Sequence, residues 1–307
     1  MALNDTPSFR PLTGTYEPSG IQQLADGRFI VVEDELQQPL SVLEIDADGS
    51  VRCTPLHPSG VQQAGDDFWD LDDLEGVTVD QAGYVYAITS HSRDGDGREK
   101  ASRERLVRFR VAGDRVAEPL LAPPIKAALI AAQPLLAAAA KIPDVKKDGG
   151  LNIEALAMSA DQRRLLIGLR SPLLEQRAII ASIENPQAIF DSHHEPSISA
   201  TLVTLDLGGK GIRGMSYLAV LNGYLVIAGP LAKEQEQFEL WFWSGDPAAP
   251  SRRVSVAGLA GFEHAEGVSS ALIDGRQRII IVSDDGSRTQ GRFARFLLLD
   301  PDQLQIE

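Results

Sequence analysis

Leu71-Asp72-Asp73-Leu74-Glu75-Gly76-Val77-Thr78-Val79-Asp80 decides the fold, because the chain states this stretch five times. Its relatives are Glu17-Pro18-Ser19-Gly20-Ile21, Asn152-Ile153-Glu154-Ala155-Leu156, Gly211-Ile212-Arg213-Gly214-Met215 and His264-Ala265-Glu266-Gly267-Val268. Each is followed by an apolar strand-like run, a turn carrying Asp or Gly, and a second apolar strand. In blade one, for example, Ala25-Asp26-Gly27 joins Gly20–Leu24 to Phe29–Val32.

Aligned on the residue before the small one, the repeat positions are Ser19, Glu75, Glu154, Arg213 and Glu266, spaced by 56, 79, 59 and 53 residues. Passing through both termini from Glu266 to Ser19 spans 60 residues, one further repeat. A fixed period with four strands per unit is the signature of a β-propeller. The expected fold is all-β: a single five-bladed propeller over residues 1–307, with six blades as the alternative. Its ring is closed by a strand near Phe9–Thr13 or near Gln303–Ile306. The excess in the 79-residue spacing lies in Ala122–Gly149, an Ala/Leu-rich helical insertion between blades two and three, split or kinked at Pro134. It is expected to lie over the polar face as a lid.

Composition bounds the function. The 307 residues are 43% hydrophobic and 23% charged, enough to bury a sizeable core. A net charge of -14 opposes nucleic acid and anionic membranes, and favours cations. The single cysteine, Cys53, excludes an internal disulfide and any cysteine-based zinc cage. The most apolar segment, Ala127–Ala140, is too short to span a bilayer. Met1–Pro11 lacks a basic start with an apolar core, so cytoplasm is the default location, or periplasm if a leader was removed. The expected partner is a small-molecule ligand; oligomeric state is not legible.

The first strand of each blade lines the channel, and alternate residues face it. Two polar layers follow: the repeat positions themselves, and Glu17, Asp73, Asn152, Gly211 and His264 two residues earlier. Pro18, Leu74, Ile153, Ile212 and Ala265, between them, should pack into the blades. Loops after the second strands return to the same face and bring Glu33-Asp34-Glu35, Ser90-His91-Ser92-Arg93, Arg170-Ser171-Pro172 and Ser283-Asp284-Asp285. His193-His194 belongs to the opposite face and is read as surface. Trp241-Phe242-Trp243 is read as packing between blades.

Glutamates facing one channel raise each other's pKa. One remedy is pairing with Arg213, Arg170 or Arg93. The other is a hard cation, calcium or magnesium, held by Glu17, Asp34, Asp73, Glu75, Asn152, Glu154, Glu266 and Asp284. Such an ion would polarise a carbonyl or phosphoryl oxygen, with His91 or His264 accepting the proton and Arg170 and Arg213 countering charge. That makes the leading expectation a metal-dependent hydrolase of a small ester, lactone or phosphoester. The competing one is a non-catalytic ligand-binding or scaffold propeller whose channel charges only tie blades together. No Walker loop, dinucleotide fingerprint, HExxH or nucleophile elbow is present.

Through Tyr16-Glu17-Pro18-Ser19-Gly20, Leu74-Glu75-Gly76-Val77, Ile88-Thr89-Ser90-His91-Ser92, Leu151-Asn152-Ile153-Glu154-Ala155, Arg164–Pro172, Gly211-Ile212-Arg213-Gly214 and Ser283-Asp284-Asp285-Gly286, the chain resembles the bacterial domain-of-unknown-function 3616 family. More distantly the Glu-Gly repeat is similar to the phytase-like esterase propellers. That likeness implies ester or phosphoester hydrolysis with calcium. Ala155 departs from the Gly expected there.

Overall fold

The computed structural model describes residues 6–34, 37–58, 68–232, 237–262 and 264–307. Glu35 lies outside them. Five antiparallel sheets form the blades of a propeller. Blade one is Pro18–Gln23, Phe29–Glu33, Leu40–Ile45 and Val51–Pro55; blade two is Leu74–Val79, Val85–Thr89, Leu106–Ala112 and Arg115–Leu121. Blade three is Asn152–Met158, Leu165–Ser171, Ala178–Ile183 and Val203–Leu205; blade four is Gly211–Leu218, Gly223–Gly229, Glu239–Trp243 and Arg252–Val256. Blade five is Ala265–Ile273, Arg276–Ser283 and Arg295–Leu299, completed on its outer edge by Arg10–Pro11. The N-terminal strand thus closes the ring. The C-terminal strand, Leu304–Ile306, instead adds a fifth strand to blade four, and His57–Pro58 adds a parallel one to blade two.

Blades cohere because each sheet has two apolar faces and each face needs a partner. Five hydrophobic clusters fill the five seams among the described residues. Phe29 and Ile21 of blade one meet Ile280 and Phe296 of blade five, and Val32 and Leu40 meet Val77 and Val85 of blade two. Tyr86 and Ile88 of blade two meet Ile167 and Ile179 of blade three. Trp243 stacks on Tyr224 with centroids 5.0 Å apart, and both are buried in the seam between blades three and four, so the aromatic run is packing. His193 and His194 are exposed, with His193 capping the C-terminus of the helix Pro186–Ser192.

The insertion forms three helices, α1 (Ile125–Ala132), α2 (Pro134–Ala139) and the single turn α3 (Val145–Asp148), with Pro134 opening the second. The first two are not a lid laid over the face. Ile125, Leu129, Leu136 and Ala139 are buried in the core cluster of blades two and three, so the insertion is a wedge in that seam. Buried Lys126 fastens α1 to Glu104 at 2.6 Å and Glu99 at 3.3 Å.

Candidate functional site at the channel mouth

Every inner strand carries a β-bulge, and in every blade the extra residue is the repeat residue. Pairing jumps from Pro18 to Gly20, Leu74 to Gly76, Ile153 to Ala155, Ile212 to Gly214 and Ala265 to Gly267. Ser19, Glu75, Glu154, Arg213 and Glu266 are thereby left out of the ladder. A bulge re-aims its side chain, and simple alternation does not describe this face. For the same reason the inner strands begin at Leu74, Asn152, Gly211 and Ala265, earlier than the apolar pattern suggests. Leu74, Ile153, Ile212 and Ala265 are fully buried in the seams, as expected.

The small residue after each bulge lets the next inner strand approach. A Cβ on Gly76 would lie 2.6 Å from the Leu156 nitrogen, and one on Gly214 would lie 1.9 Å from the Glu266 carbonyl oxygen. Blade three carries Ala155 here, and the gap is made by Gly168 beside it, where a Cβ would lie 2.9 Å from that of Ala155.

Blades three, four and five are cross-linked by charge. Arg213 Nε lies 2.7 Å from Glu154 Oε2, and the same guanidinium pairs with Glu266. In blade three the partner strand skips Arg170 opposite the bulge, and Arg170 Nη1 meets Glu154 Oε1 at 3.0 Å. Arg170 also donates to the carbonyls of Pro230 and Leu231, and Asn152 donates to Glu154 Oε1 at 2.7 Å. Burial lowers the pKa of Arg213, but Glu154 and Glu266 outweigh it and hold the guanidinium charged. Glu266 is pushed up to about 8 by burial, against the pull of Arg213.

Blades one and two form the acidic side of the mouth. Asp73 pairs with Arg103 and accepts from Ser92 Oγ at 3.4 Å. Asp34 opens to solvent on one side while protein surrounds the rest. That crowding first, then the charge of and hydrogen bond to Asp73, pushes its carboxyl up to about 9. Asp284, half-buried across the mouth, is pushed up to about 6 by burial and then by Glu17. Backbone bonds hold these loops to the layer two residues before each repeat position. Asp34 N–H donates to the Glu17 carbonyl at 3.1 Å, Ser90 to Asp73 at 2.9 Å and Asp284 to His264 at 2.7 Å. Asp73 and His264 occupy the left-handed region, with φ of 66° and 61°, a backbone cost that side chains at this layer carry in blades two and five.

Glu75 stands apart. It is 9% exposed, burial and then Glu154 push its carboxyl well above the usual range, and it has no hydrogen-bond or ion-pair partner among the described residues. Below the ring, Ser216 Oγ of blade four donates to Gln22 Oε1 of blade one at 3.3 Å. These blades are not neighbours, so the bond crosses the channel. The space above it, lined by Ser19, Glu75, Glu154 and Glu266, has room for about one water. A substrate therefore meets the mouth, not the throat.

Two expected participants sit elsewhere. His91 is fully buried, its Nδ1 2.9 Å from the Thr89 carbonyl, and burial pulls it down to about 4, so it stays neutral and out of reach of the mouth. Arg93 binds Glu99 and the Ala140 carbonyl rather than a ring glutamate. Arg103 was not legible as a site residue; it reaches Asp73 from a long loop before the third strand of blade two, and only a basic residue in that loop hinted at it. His264 keeps its place at the mouth, its ring 5.8 Å from that of Phe238.

As placed, the carboxylates do not form a calcium or magnesium cage. Glu154, Glu266 and Asp73 are engaged by arginines, and among the described residues no three His, Cys, Asp or Glu side chains converge to hold a metal. No helix of the described residues is long and apolar enough to cross a membrane.

Fold and mouth together define a five-bladed propeller with a narrow, carboxyl-lined channel. The chain belongs to the family described as protein of unknown function, DUF3616, whose model matches residues 123–296, from the helical insertion into blade five. None of the curated proteins compared with it matches in sequence. Among solved structures, the glycoside hydrolase family 43 β-1,3-galactosidase BT3683, solved with galactodeoxynojirimycin, is 9% identical with a TM-score of 0.50 over 97% of this chain and 98% of that one. The PQQ-bound aldose sugar dehydrogenase of Streptomyces coelicolor is 16% identical with a TM-score of 0.46 over 95% of this chain and 98% of that one. At such identities the likeness concerns the fold alone.

Proposed function

We propose that the protein is a hydrolase of a small neutral ester or lactone, working at the channel mouth with Asp284 as general base and Asp34 as general acid. One observation carries the reading: two carboxyls brought to the same mouth by the loops after the second strands of blades one and five are pushed up, chiefly by burial, to different degrees, Asp284 to about 6 and Asp34 to about 9, on either side of neutrality. Such a split assigns base and acid roles to chemically identical groups. Asp284 takes a proton from water as its oxygen attacks the carbonyl carbon. Asp34 gives its proton to the alkoxide as the ester C–O bond breaks, and solvent returns the proton from Asp284 to Asp34. His264 is a second proton carrier at the rim. A phosphoester suits the mouth less, because ionised Asp284 repels its charge while Arg103, Arg170 and Arg213 are already paired.

The test is turnover of a panel of neutral aryl esters and aliphatic lactones across pH. The expected profile is a bell, rising as Asp284 ionises near 6 and falling as Asp34 loses its proton near 9. Asp34→Asn and Asp284→Asn should each lower kcat by about 10²-fold or more. No turnover across the panel, or wild-type rates in both variants, ends the proposal.

The Arg213 cross-link favours a second reading, a scaffold or ligand-binding propeller whose ring charges only join blades. On that reading Glu154→Gln lowers the melting temperature and leaves every ligand effect unchanged.

A further inference from the structure

We infer that the throat beneath the mouth is a binding site for one water-sized monovalent cation, of potassium or ammonium size, held by Glu75 and Ser19. Three observations converge on it, and none depends on the hydrolytic reading. The first is charge. Once Glu75 and Glu266 are ionised, Glu75, Glu154 and Glu266 supply three carboxylates to the ring against the two guanidinium groups of Arg170 and Arg213, leaving one negative charge uncompensated among the described residues. An unpaired buried charge is costly, and a monovalent cation cancels it without excess.

The second is the set of groups left without partners. Glu75 is 9% exposed and Ser19 3% exposed, both line the throat, and neither makes a hydrogen bond or ion pair with any described residue. Polar groups in folded proteins are almost always partnered, and with no protein partner both depend on what occupies the throat they line. Oxygen donors suit a hard cation.

The third is size. The throat takes about one water-sized particle, is crossed from below by the Gln22–Ser216 hydrogen bond, and has two of its lining carboxylates, Glu154 and Glu266, joined by Arg213. A hydrated divalent ion needs more space and more free carboxylates than Glu75 alone provides, since Glu154 and Glu266 are held by arginines. The same bulge takes Glu75 out of the ladder, and no cationic side chain among the described residues pairs with it.

Melting of the full chain at mildly alkaline pH in potassium, ammonium or choline chloride of equal ionic strength tests this. Potassium and ammonium should raise the melting temperature saturably by about 2–4 °C over choline, which is too large for the throat. Glu75→Gln should abolish that rise and Ser19→Ala should reduce it. Crystals of the wild-type chain soaked in thallium(I), a potassium surrogate, should show an anomalous peak between Glu75 and Ser19, a readout that stands even if Glu75→Gln fails to fold. Equal melting in all three salts, a response that survives Glu75→Gln, or no thallium peak means that Glu75 is protonated beside a water, and overturns the site.

Discussion

Arg213 of blade four sits 2.7 Å from Glu154 of blade three while its other terminus grips Glu266 of blade five. One side chain thus joins three blades at the axis, where the inner strands have no further sheet to pair with. Removing it leaves two carboxylates buried with too little countercharge, and breaking a buried pair costs far more than the intact pair contributes. Arg213→Met should lower stability by about 3–5 kcal/mol in urea unfolding. Adding Glu266→Gln should restore part of the loss. If the double variant is weaker than the sum of the two single ones, the bridge is not the source.

Stability should fall as pH rises from about 7 to 9. Asp34 and Glu266 keep protons in the folded chain up to about 9 and about 8, whereas unfolded they lose them near 3.8 and 4.5. Within that window the folded state binds more protons, so raising pH favours unfolding. His91 acts with the opposite sign, because it resists protonation down to about 4 when folded but takes a proton near 6.5 when unfolded. It therefore adds stability as pH rises from about 4 to 6.5, and Asp284 opposes it up to about 6. Above neutrality only the carboxyls remain. A melting temperature that is level or climbing from pH 7 to 9 contradicts this, and Asp34→Asn should flatten the decline.

The close approach of inner strands makes the post-bulge glycines intolerant. Gly76→Ala puts a methyl 2.6 Å from the Leu156 nitrogen, so the seam must open, at a cost of about 1–3 kcal/mol. Gly27→Ala, in a turn with φ of 91° and nothing within 4 Å, strains only its own backbone. Denaturant unfolding should show the larger loss at Gly76, with a lower midpoint and an unchanged slope.

The two terminal strands differ in consequence. Arg10–Pro11 is the fourth strand of blade five, and Leu12 behind it is fully buried in the seam with blade one. Leu304–Ile306 only extends a blade that already has four strands. Deleting residues 1–12 should therefore depress the melting temperature much more than deleting residues 304–307. Calorimetry on the two truncated chains decides it, and equal losses would mean that blade five does not need its outer strand.

What the sequence alone determined is the repeat. Small residues at Gly20, Gly76, Ala155, Gly214 and Gly267, each followed by strand, turn and strand, point to five blades and mark the inner strands and the face on which Asp34, Asp73, Glu75 and Asp284 gather. Those features are local or periodic, so they can be read along the chain. Tertiary structure alone decided which charges are spent. Arg170 and Arg213 are visible candidates, but that they engage Glu154 and Glu266, and so leave no divalent cage among the described residues, depends on bulges meeting across blades. Arg103 reaching Asp73, His91 turning into the core and the insertion wedging into a seam are likewise contacts between segments far apart in the chain. Periodicity fixes which way a strand faces; the partner a long side chain finds depends on the geometry of the closed ring.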